Sequence, residues 1–208
     1  MNNQASLLIK SELIDCLLQR KEYDIIISEL PFLGCTRLAD LVAVSQNMTI
    51  AFEIKSEKDS LQYLTEQLED YRQVFNLVYI VIAEKFYQNI QIKKLPKSIG
   101  IIRVSLKGKL SLKRKAIIRK NLNKNALLSL LWKKDMQKLT KLSKKQDLNQ
   151  LRSFIIKNCS TSKIQYEAIQ ALLNRYQESY KMFLQDRGQY TSLEDLRTIT
   201  GLKKNPVV

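Results

Sequence analysis

The sequence predicts an α/β fold, in which a mixed sheet flanked by helices is followed by a helical C-terminal extension. In the first half, β-branched and apolar runs alternate with helix-like stretches, in the order helix, three strands, helix, strand, strand. From about Asn125 the apolar residues recur every three or four positions instead. A strand meander followed by a helical crossover predicts antiparallel and parallel pairing within one sheet.

The N-terminal part is predicted to contain a helix and a three-stranded meander. The helix covers residues 5–20, and the strands cover residues 24–30, 41–44 and 49–54. Pro31 is expected to stop the first strand, because proline has no backbone N–H for the ladder. The turn-prone Ser45-Gln46-Asn47 connects the second and third strands.

A second amphipathic helix is predicted after the meander, with Asp59 or Ser60 as its N-cap. Its apolar stripe consists of Leu61, Leu64, Leu68, Tyr71 and Phe75. The apolar run 77–83 is typical of a central strand that is buried on both faces. Two more strands, 99–104 and 110–112, are expected around a turn at Lys107-Gly108-Lys109.

The rest of the sequence is predicted to be helical. The expected helices cover residues 126–131, 148–156, 164–184 and 193–199. We therefore predict a core at residues 1–115 and a basic helical extension at residues 116–208.

Composition excludes several classes of protein. The sequence has no histidine, which removes Ser-His-Asp and Cys-His hydrolases and histidine-dependent nucleases. Three widely spaced cysteines favour neither a disulfide framework nor a zinc cluster, and they suit a reducing cytoplasm. No apolar run is long enough to span a membrane, and the N-terminus does not resemble a signal peptide.

The net charge of +15 is unevenly distributed. Residues 1–80 carry 7 basic and 12 acidic side chains, whereas residues 85–145 carry 19 basic side chains and one acid. An acidic part followed by a basic part predicts a cation-binding centre beside a polyanion-binding surface. The alternative is that the basic residues only decorate solvated helices.

The turn between the second and third strands determines which residues face each other. If the turn centres between Gln46 and Asn47, the numbers of opposing residues sum to 93, and Asp40 lies opposite Glu53. Lys55 lies two residues further along and shares the face of Glu53. Two carboxylates this close repel each other unless a cation lies between them or one is protonated. Oxygen ligands favour Mg²⁺ or Mn²⁺.

These residues resemble a known signature. Asp40, twelve residues and then Glu53-Ile54-Lys55 are similar to the D-x(n)-E-x-K motif of the PD-(D/E)xK nuclease superfamily. Gln67 and Tyr71 on the following helix resemble the Q-x-x-x-Y motif of its RecB-like branch. Most of residues 5–175, and most strongly residues 29–84, are also similar to an uncharacterised bacterial family that adds a helical tail to this core. Two departures are that no proline precedes Asp40, and that Arg37 stands three residues before it where two are expected.

The resemblance implies a restriction-endonuclease-like sheet and a Mg²⁺- or Mn²⁺-dependent nuclease. The implied catalytic residues are Asp40, Glu53, Lys55, Gln67 and Tyr71. Asp40 and Glu53 would bind the metal, Lys55 would assist the water, and the other two would hold the site or the scissile phosphate. In many relatives a first-helix glutamate is a third ligand, which makes Glu12 the candidate and Glu29 its rival.

Simpler interpretations stand beside these. The Asp, Glu and Lys set could be an ordinary salt bridge at an exposed end of the sheet. Gln67 and Tyr71 could be a polar residue at a helix edge and a core aromatic residue.

A basic set is expected to bind the nucleic-acid backbone without reading its sequence. Its members are Lys113, Arg114, Lys115, Arg119, Lys120, Lys133 and Lys134.

The predicted function is hydrolysis of phosphodiester bonds in DNA by a cytoplasmic, metal-dependent nuclease. The alternatives are a catalytically silent nucleic-acid-binding module on the same fold and a toxin-like ribonuclease. The sequence does not decide between endonuclease and exonuclease, and it leaves the oligomeric state open, with a homodimer as one option.

Overall fold

A computed structural model describes residues 4–140 and 145–202 as an α/β structure. The strands are β1 (Ile25–Phe32), β2 (Arg37–Val44), β3 (Thr49–Lys55), β4 (Leu77–Ala83), β5 (Gly100–Val104) and β6 (Leu110–Arg114). The longer helices are α1 (Gln4–Arg20), α2 (Leu64–Val74), α6 (Lys133–Thr140), α7 (Leu148–Asn158) and α8 (Thr161–Asp186). The short helices are α3 (Glu84–Tyr87), α4 (Ile90–Lys94), α5 (Lys124–Leu127) and α9 (Asp195–Thr198), with a 3₁₀ turn at Leu128–Leu130. The predicted fold class is confirmed.

The six strands of these residues form one mixed sheet in the order β1-β2-β3-β4-β5-β6. The pairs β1–β2, β2–β3 and β5–β6 are antiparallel, and β3–β4 and β4–β5 are parallel. In the β2–β3 hairpin, Leu41 faces Phe52 and Val44 faces Thr49, so opposing numbers sum to 93 as predicted. The apolar β3 and most of β4 are buried, as expected of central strands.

Strand β1 continues through Pro31 to Phe32, so the prediction that Pro31 would stop it is wrong. The reason is that β1 is the edge strand of the sheet, where a missing N–H can point away from the ladder. The outer side of β1 meets the C-terminal part of the chain instead. Ser28 N donates to Ile199 O over 2.9 Å, and Gly201 N donates to Ser28 O over 2.6 Å.

Helix α2 has the predicted apolar stripe, but it begins later than expected. Leu64 is its first residue and Tyr63 its N-cap, so neither Asp59 nor Ser60 caps it. The Asp59 carboxylate instead accepts hydrogen bonds from the backbone N and the hydroxyl of Ser56, which closes a tight turn directly after β3. Competition by this local turn displaces the start of the helix.

The predicted helices after residue 125 are present, and the sequence did not predict α6. Their buried apolar residues join the cluster that covers the sheet, including Leu130, Met136, Leu172 and Phe183. The boundary at residues 115 and 116 stays a prediction, and residues 203–208 of the predicted extension lie outside the described residues. In the part of the chain that the structure describes, no helix combines the length and the apolar character needed to cross a membrane.

Candidate active site

Asp40 and Glu53 lie opposite each other one step beyond the last paired residues of the β2–β3 ladder. That last pair is Leu41 and Phe52. The strands diverge at this point, and the Asp40 side chain takes the place of a backbone acceptor for Ile54. Its Oδ2 accepts a hydrogen bond from Ile54 N at 2.8 Å. The predicted register therefore brings the two carboxylates together at one end of the sheet.

Tyr71 of α2 covers Glu53 from above the sheet. Its hydroxyl donates to Glu53 Oε2 over 2.6 Å and accepts from the backbone N of Asp40 at 3.1 Å. Burial, together with the neighbouring carboxylates, raises the pKa of Tyr71 well above its ordinary value. Tyr71 therefore stays a phenol that donates a hydrogen bond to Glu53.

Lys55 lies on the same face as Glu53, as the strand period requires. Its Nζ is 2.8 Å from Glu53 Oε1 and donates to Gln67 Oε1 over 2.9 Å. The exposed fractions of Glu53 and Lys55 are only 4% and 9%, which contradicts an ordinary salt bridge on an exposed sheet end. The structure brings together all five residues that were expected to be catalytic, and Tyr71 is a core aromatic residue as well.

The pKa of Asp40 reflects the balance of charges in the site. Burial and repulsion by Glu53 raise the pKa of Asp40 to about 7, although the Ile54 N–H and the charges of Lys10 and Lys55 act in the opposite direction. Even with two lysines nearby, the pair of carboxylates holds more negative charge than its surroundings neutralise. A proton or a metal cation would relieve this excess.

Lys10 is a residue of this site that the sequence did not reveal. It lies on α1 and is 3% exposed, and its Nζ is 3.3 Å from Ser28 Oγ and 3.4 Å from Glu29 Oε1. Buried lysines are rare unless they are paired, so this one marks a site. The sequence around it, Leu7-Leu8-Ile9-Lys10-Ser11-Glu12, mixes apolar and polar residues and gives no signal that Lys10 is buried.

Of the two candidates for a third carboxylate, the structure places Glu29 beside the site and Glu12 away from it. Glu29 stands opposite Asp40 in the β1–β2 register, and its backbone has a left-handed φ of 55°. Glu12 is exposed and lines a separate depression with Lys107 and Lys109. Two residues along a helix turn the side chain by about 200°, so Lys10 and Glu12 face opposite directions.

The donor set suits a hard divalent cation bound by two carboxylates. Within residues 4–140 and 145–202 no three or more acidic or cysteine side chains are grouped to hold a metal ion. Mg²⁺ often uses only one or two carboxylates and keeps its remaining water ligands. The charge excess at Asp40 and Glu53 is therefore consistent with Mg²⁺ or Mn²⁺.

Five of the predicted phosphate-binding residues lie on or after β6, the edge strand three positions from β3. Glu53 pairs with Ile80, Ile80 with Ile101 and Ile101 with Arg114, so Arg114 lies in the same cross-strand row as Glu53, roughly 14 Å away. The chain continues to Arg119, whose N donates to Asn76 O just before β4. Asn76 also accepts from Thr49 N at the start of β3, and Lys55 at its end is roughly 20 Å further on. The segment Lys113–Lys120 therefore starts about three strand spacings from Glu53 and continues toward the start of β3, away from Lys55.

Arg114 is committed to the fold. Its guanidinium donates to the carbonyls of Ile99 and Pro96, and partial burial lowers its pKa. Lys113, Lys115 and Lys120 are exposed. Lys133 and Lys134 are exposed as well, but they lie beside the turn between β1 and β2.

Arg37 connects the start of β2 to α2 and does not join the carboxylate site. Its guanidinium pairs with Glu66 and Asp70, both on the outer part of the helix. This contact holds α2 in the place from which Gln67 and Tyr71 reach the site.

Comparison with known proteins gives one consistent match. A family model described as bacteriophage P4 protein cII matches residues 2–200, which include every residue of the site. Protein cII of Enterobacteria phage P4 is 28% identical over 188 residues, which cover 86% of this chain and 70% of that protein. No solved structure matches the chain.

Proposed function

The chain belongs to the bacteriophage P4 protein cII family, and we propose that this member is a metal-dependent nuclease of the PD-(D/E)xK type. The proposal rests on the site rather than on the family name. The observation that carries it is the register that sets Asp40 opposite Glu53, with Lys55 on the same face. This is the arrangement that metal-assisted hydrolysis of a phosphodiester needs.

The proposed roles follow from the contacts. Asp40 and Glu53 would hold Mg²⁺ or Mn²⁺, which would polarise the scissile phosphate and lower the pKa of a bound water. Lys55 orients the attacking water or neutralises charge that develops on the phosphate. Gln67 holds the Lys55 ammonium, and Tyr71 holds Glu53 so that Oε1 faces Lys55.

The proposed substrate is DNA, with RNA as the alternative. A net charge of +15 favours a polyanionic partner, and phosphate contacts of this kind make binding weaken steeply with salt. The proposed setting is the cytoplasm, where free cysteines remain reduced. A homodimer remains an option that the site does not require.

The decisive experiment compares cleavage of supercoiled plasmid by the wild type, Glu53→Ala and Lys55→Ala, each with EDTA, Mg²⁺ or Mn²⁺. We expect metal-dependent nicking by the wild type, and loss of cleavage with retained DNA binding in both variants. Glu12→Gln is the matched control, since it removes an exposed acid away from the site and should cut normally. Equal cutting by all four proteins would refute the assignment. A structured RNA in the same assay tests the ribonuclease alternative.

One observation favours a second candidate, a binding module that does not cut. Both carboxylate oxygens of Glu53 already have partners within the chain, namely Tyr71 and Lys55. If the wild type binds DNA but never nicks it with either metal, this closed network is structural and the second candidate is correct.

A further inference from the structure

A cavity of about 480 Å³ lies between the turn joining β1 to β2 and the helices of the extension. We call it the turn cavity, because Gly34 and Cys35 of that turn line it. Its apolar floor includes Leu30, Pro31 and Leu131. A volume of this size is typical of small-molecule sites and accommodates a base with its sugar.

The charged residues of the turn cavity are all cationic. Four basic residues line it and no acidic residue does: Lys133, Lys134, Arg152 and Arg175. Arg175 has a carboxylate partner in Asp135, at 3.0 Å. Basic groups over low-dielectric walls concentrate a positive potential, so the cavity favours an anion with an apolar body.

Arg152 has a hydrogen-bond donor that no group in the described part of the chain satisfies. Its Nε is buried without a hydrogen bond, and among the described residues it has no ion pair. Arg72, Arg103 and Arg187 also have a buried Nε without a hydrogen bond, but each of their guanidinium groups pairs with a carboxylate. Within the described ranges Arg119 shares the lack of a partner with Arg152 but does not line the cavity. A buried donor without an acceptor is costly, so an anion in the cavity would satisfy a group that the fold leaves open.

We propose that the turn cavity binds one nucleotide of single-stranded nucleic acid, with the base and sugar on the apolar floor and the phosphate on Arg152 and Lys133. The choice of nucleic acid rests on the proposed function and on the charge complementarity. A single strand is required because a base that enters a cavity cannot remain stacked and paired.

The position of the turn cavity suits this role. Leu33 N donates to Ser129 Oγ over 2.9 Å, which fastens the turn to the extension. From Gly34 to Asp40 the chain spans six residues, at most roughly 20 Å. A strand of a few nucleotides could therefore place one nucleotide in the cavity while another phosphate reaches the carboxylates.

The turn cavity contains its own reporter. Trp132 is the single tryptophan of the chain and lines the cavity. The Arg175 guanidinium carbon lies 3.8 Å from its ring centroid, and Lys134 Nζ lies at 4.6 Å. An anion that pairs with Lys134 would change the electric field at the indole ring and hence the tryptophan fluorescence.

The test titrates the wild type with oligo(dT) of about eight nucleotides in EDTA, and follows both tryptophan emission and fluorescence anisotropy of a labelled oligonucleotide. We expect a saturable change in emission that tracks binding. Arg152→Gln should weaken binding about tenfold, as expected for losing a charge-assisted hydrogen bond. Lys133→Gln, at an exposed position of the cavity rim, should have an effect of the same size. Lys115→Gln, which removes an exposed charge just after β6, the edge strand opposite β1, should change it less than about twofold.

Three results would overturn the proposal. They are binding by anisotropy without a change in emission, unchanged affinity in both cavity variants, or equal displacement of the oligonucleotide by inorganic phosphate or an acidic peptide. Because EDTA suppresses cleavage, the outcome is independent of the nuclease test. A wild type that binds the oligonucleotide but never nicks plasmid with Mg²⁺ or Mn²⁺ would refute the nuclease and leave the cavity assignment standing.

Discussion

Tyr71 on α2 donates its hydroxyl to Glu53 on β3 over 2.6 Å, and the exposed fractions of the two residues are only 1% and 4%. The Tyr71 ring packs edge-on against Phe32 at 5.2 Å between centroids. One residue thus joins the core to the candidate site. The stability of the fold and the position of the carboxylate depend on the same hydroxyl.

Tyr71→Phe should destabilise the protein by about 1–3 kcal/mol, because the ring packing stays while Glu53 Oε2 loses its donor and Asp40 N its acceptor. The measurement is the free energy of unfolding from urea denaturation. Tyr79→Phe is the matched control, since in the described residues the Tyr79 hydroxyl has no hydrogen bond and its ring stacks on Phe52. Similar losses in both variants would mean that the Tyr71 hydroxyl contributes nothing specific.

Asp40→Asn should stabilise the metal-free protein at pH 8. The pKa of Asp40 is raised in the folded state to about 7, above its ordinary value of 3.8. Between these two values the folded protein keeps a proton that the unfolded chain releases, so rising pH favours unfolding. The stability of the wild type relative to Asp40→Asn should fall as pH rises from about 4 to about 7, and then level off.

Denaturation in EDTA at several pH values measures this difference. The asparagine amide oxygen can still accept from Ile54 N, so the variant retains the backbone contact. A difference that does not change with pH would show that Asp40 is already ionised and well compensated in the fold. The same variant should be inactive on plasmid, since it lacks one of the two proposed metal-binding carboxylates.

The parts of the site that depend on turn type, strand period and helical period could be predicted from the sequence. The turn at Ser45-Gln46-Asn47 gives the hairpin register, and the period of two then places Glu53 and Lys55 on one face. The helical stripe that contains Leu64 and Leu68 places Gln67 and Tyr71 above that face.

The parts that could not be predicted depend on contacts distant in sequence. Lys10 is buried because Ser28 and Glu29 approach it from another element, and no pattern in α1 reveals that. The resemblance implies a first-helix glutamate and so points to Glu12, and helical periodicity cannot exclude it because apolar neighbours surround it on many sides. Helix α6 escaped notice because Met136 is its only fully buried residue.

Asn76→Ala should lower the free energy of unfolding by about 2–4 kcal/mol. The buried Asn76 side chain accepts from Thr49 N at 3.0 Å and from Gln165 Nε2 at 3.2 Å, and it donates to Arg119 O over 3.0 Å. Hydrogen exchange should also become faster at the amide of Arg119, because the basic segment loses one of its two contacts with Asn76. The exposed Asn121→Ala serves as control and should leave both measurements unchanged; a comparable effect there would contradict the assignment.

Lys10→Met should strengthen Mn²⁺ binding while it destabilises the metal-free protein. The positive charge of Lys10 acts on Asp40 and lowers its pKa, so the same charge must repel a divalent cation held there. Its removal also frees the Glu29 carboxylate, which adds negative charge to the site. Both effects favour metal binding, and we expect roughly tenfold tighter binding of Mn²⁺ by calorimetry.

Lys10→Arg keeps the charge and should bind Mn²⁺ like the wild type. Weaker binding in Lys10→Met would mean that Lys10 acts by positioning Glu29 and Asp40 rather than by its charge.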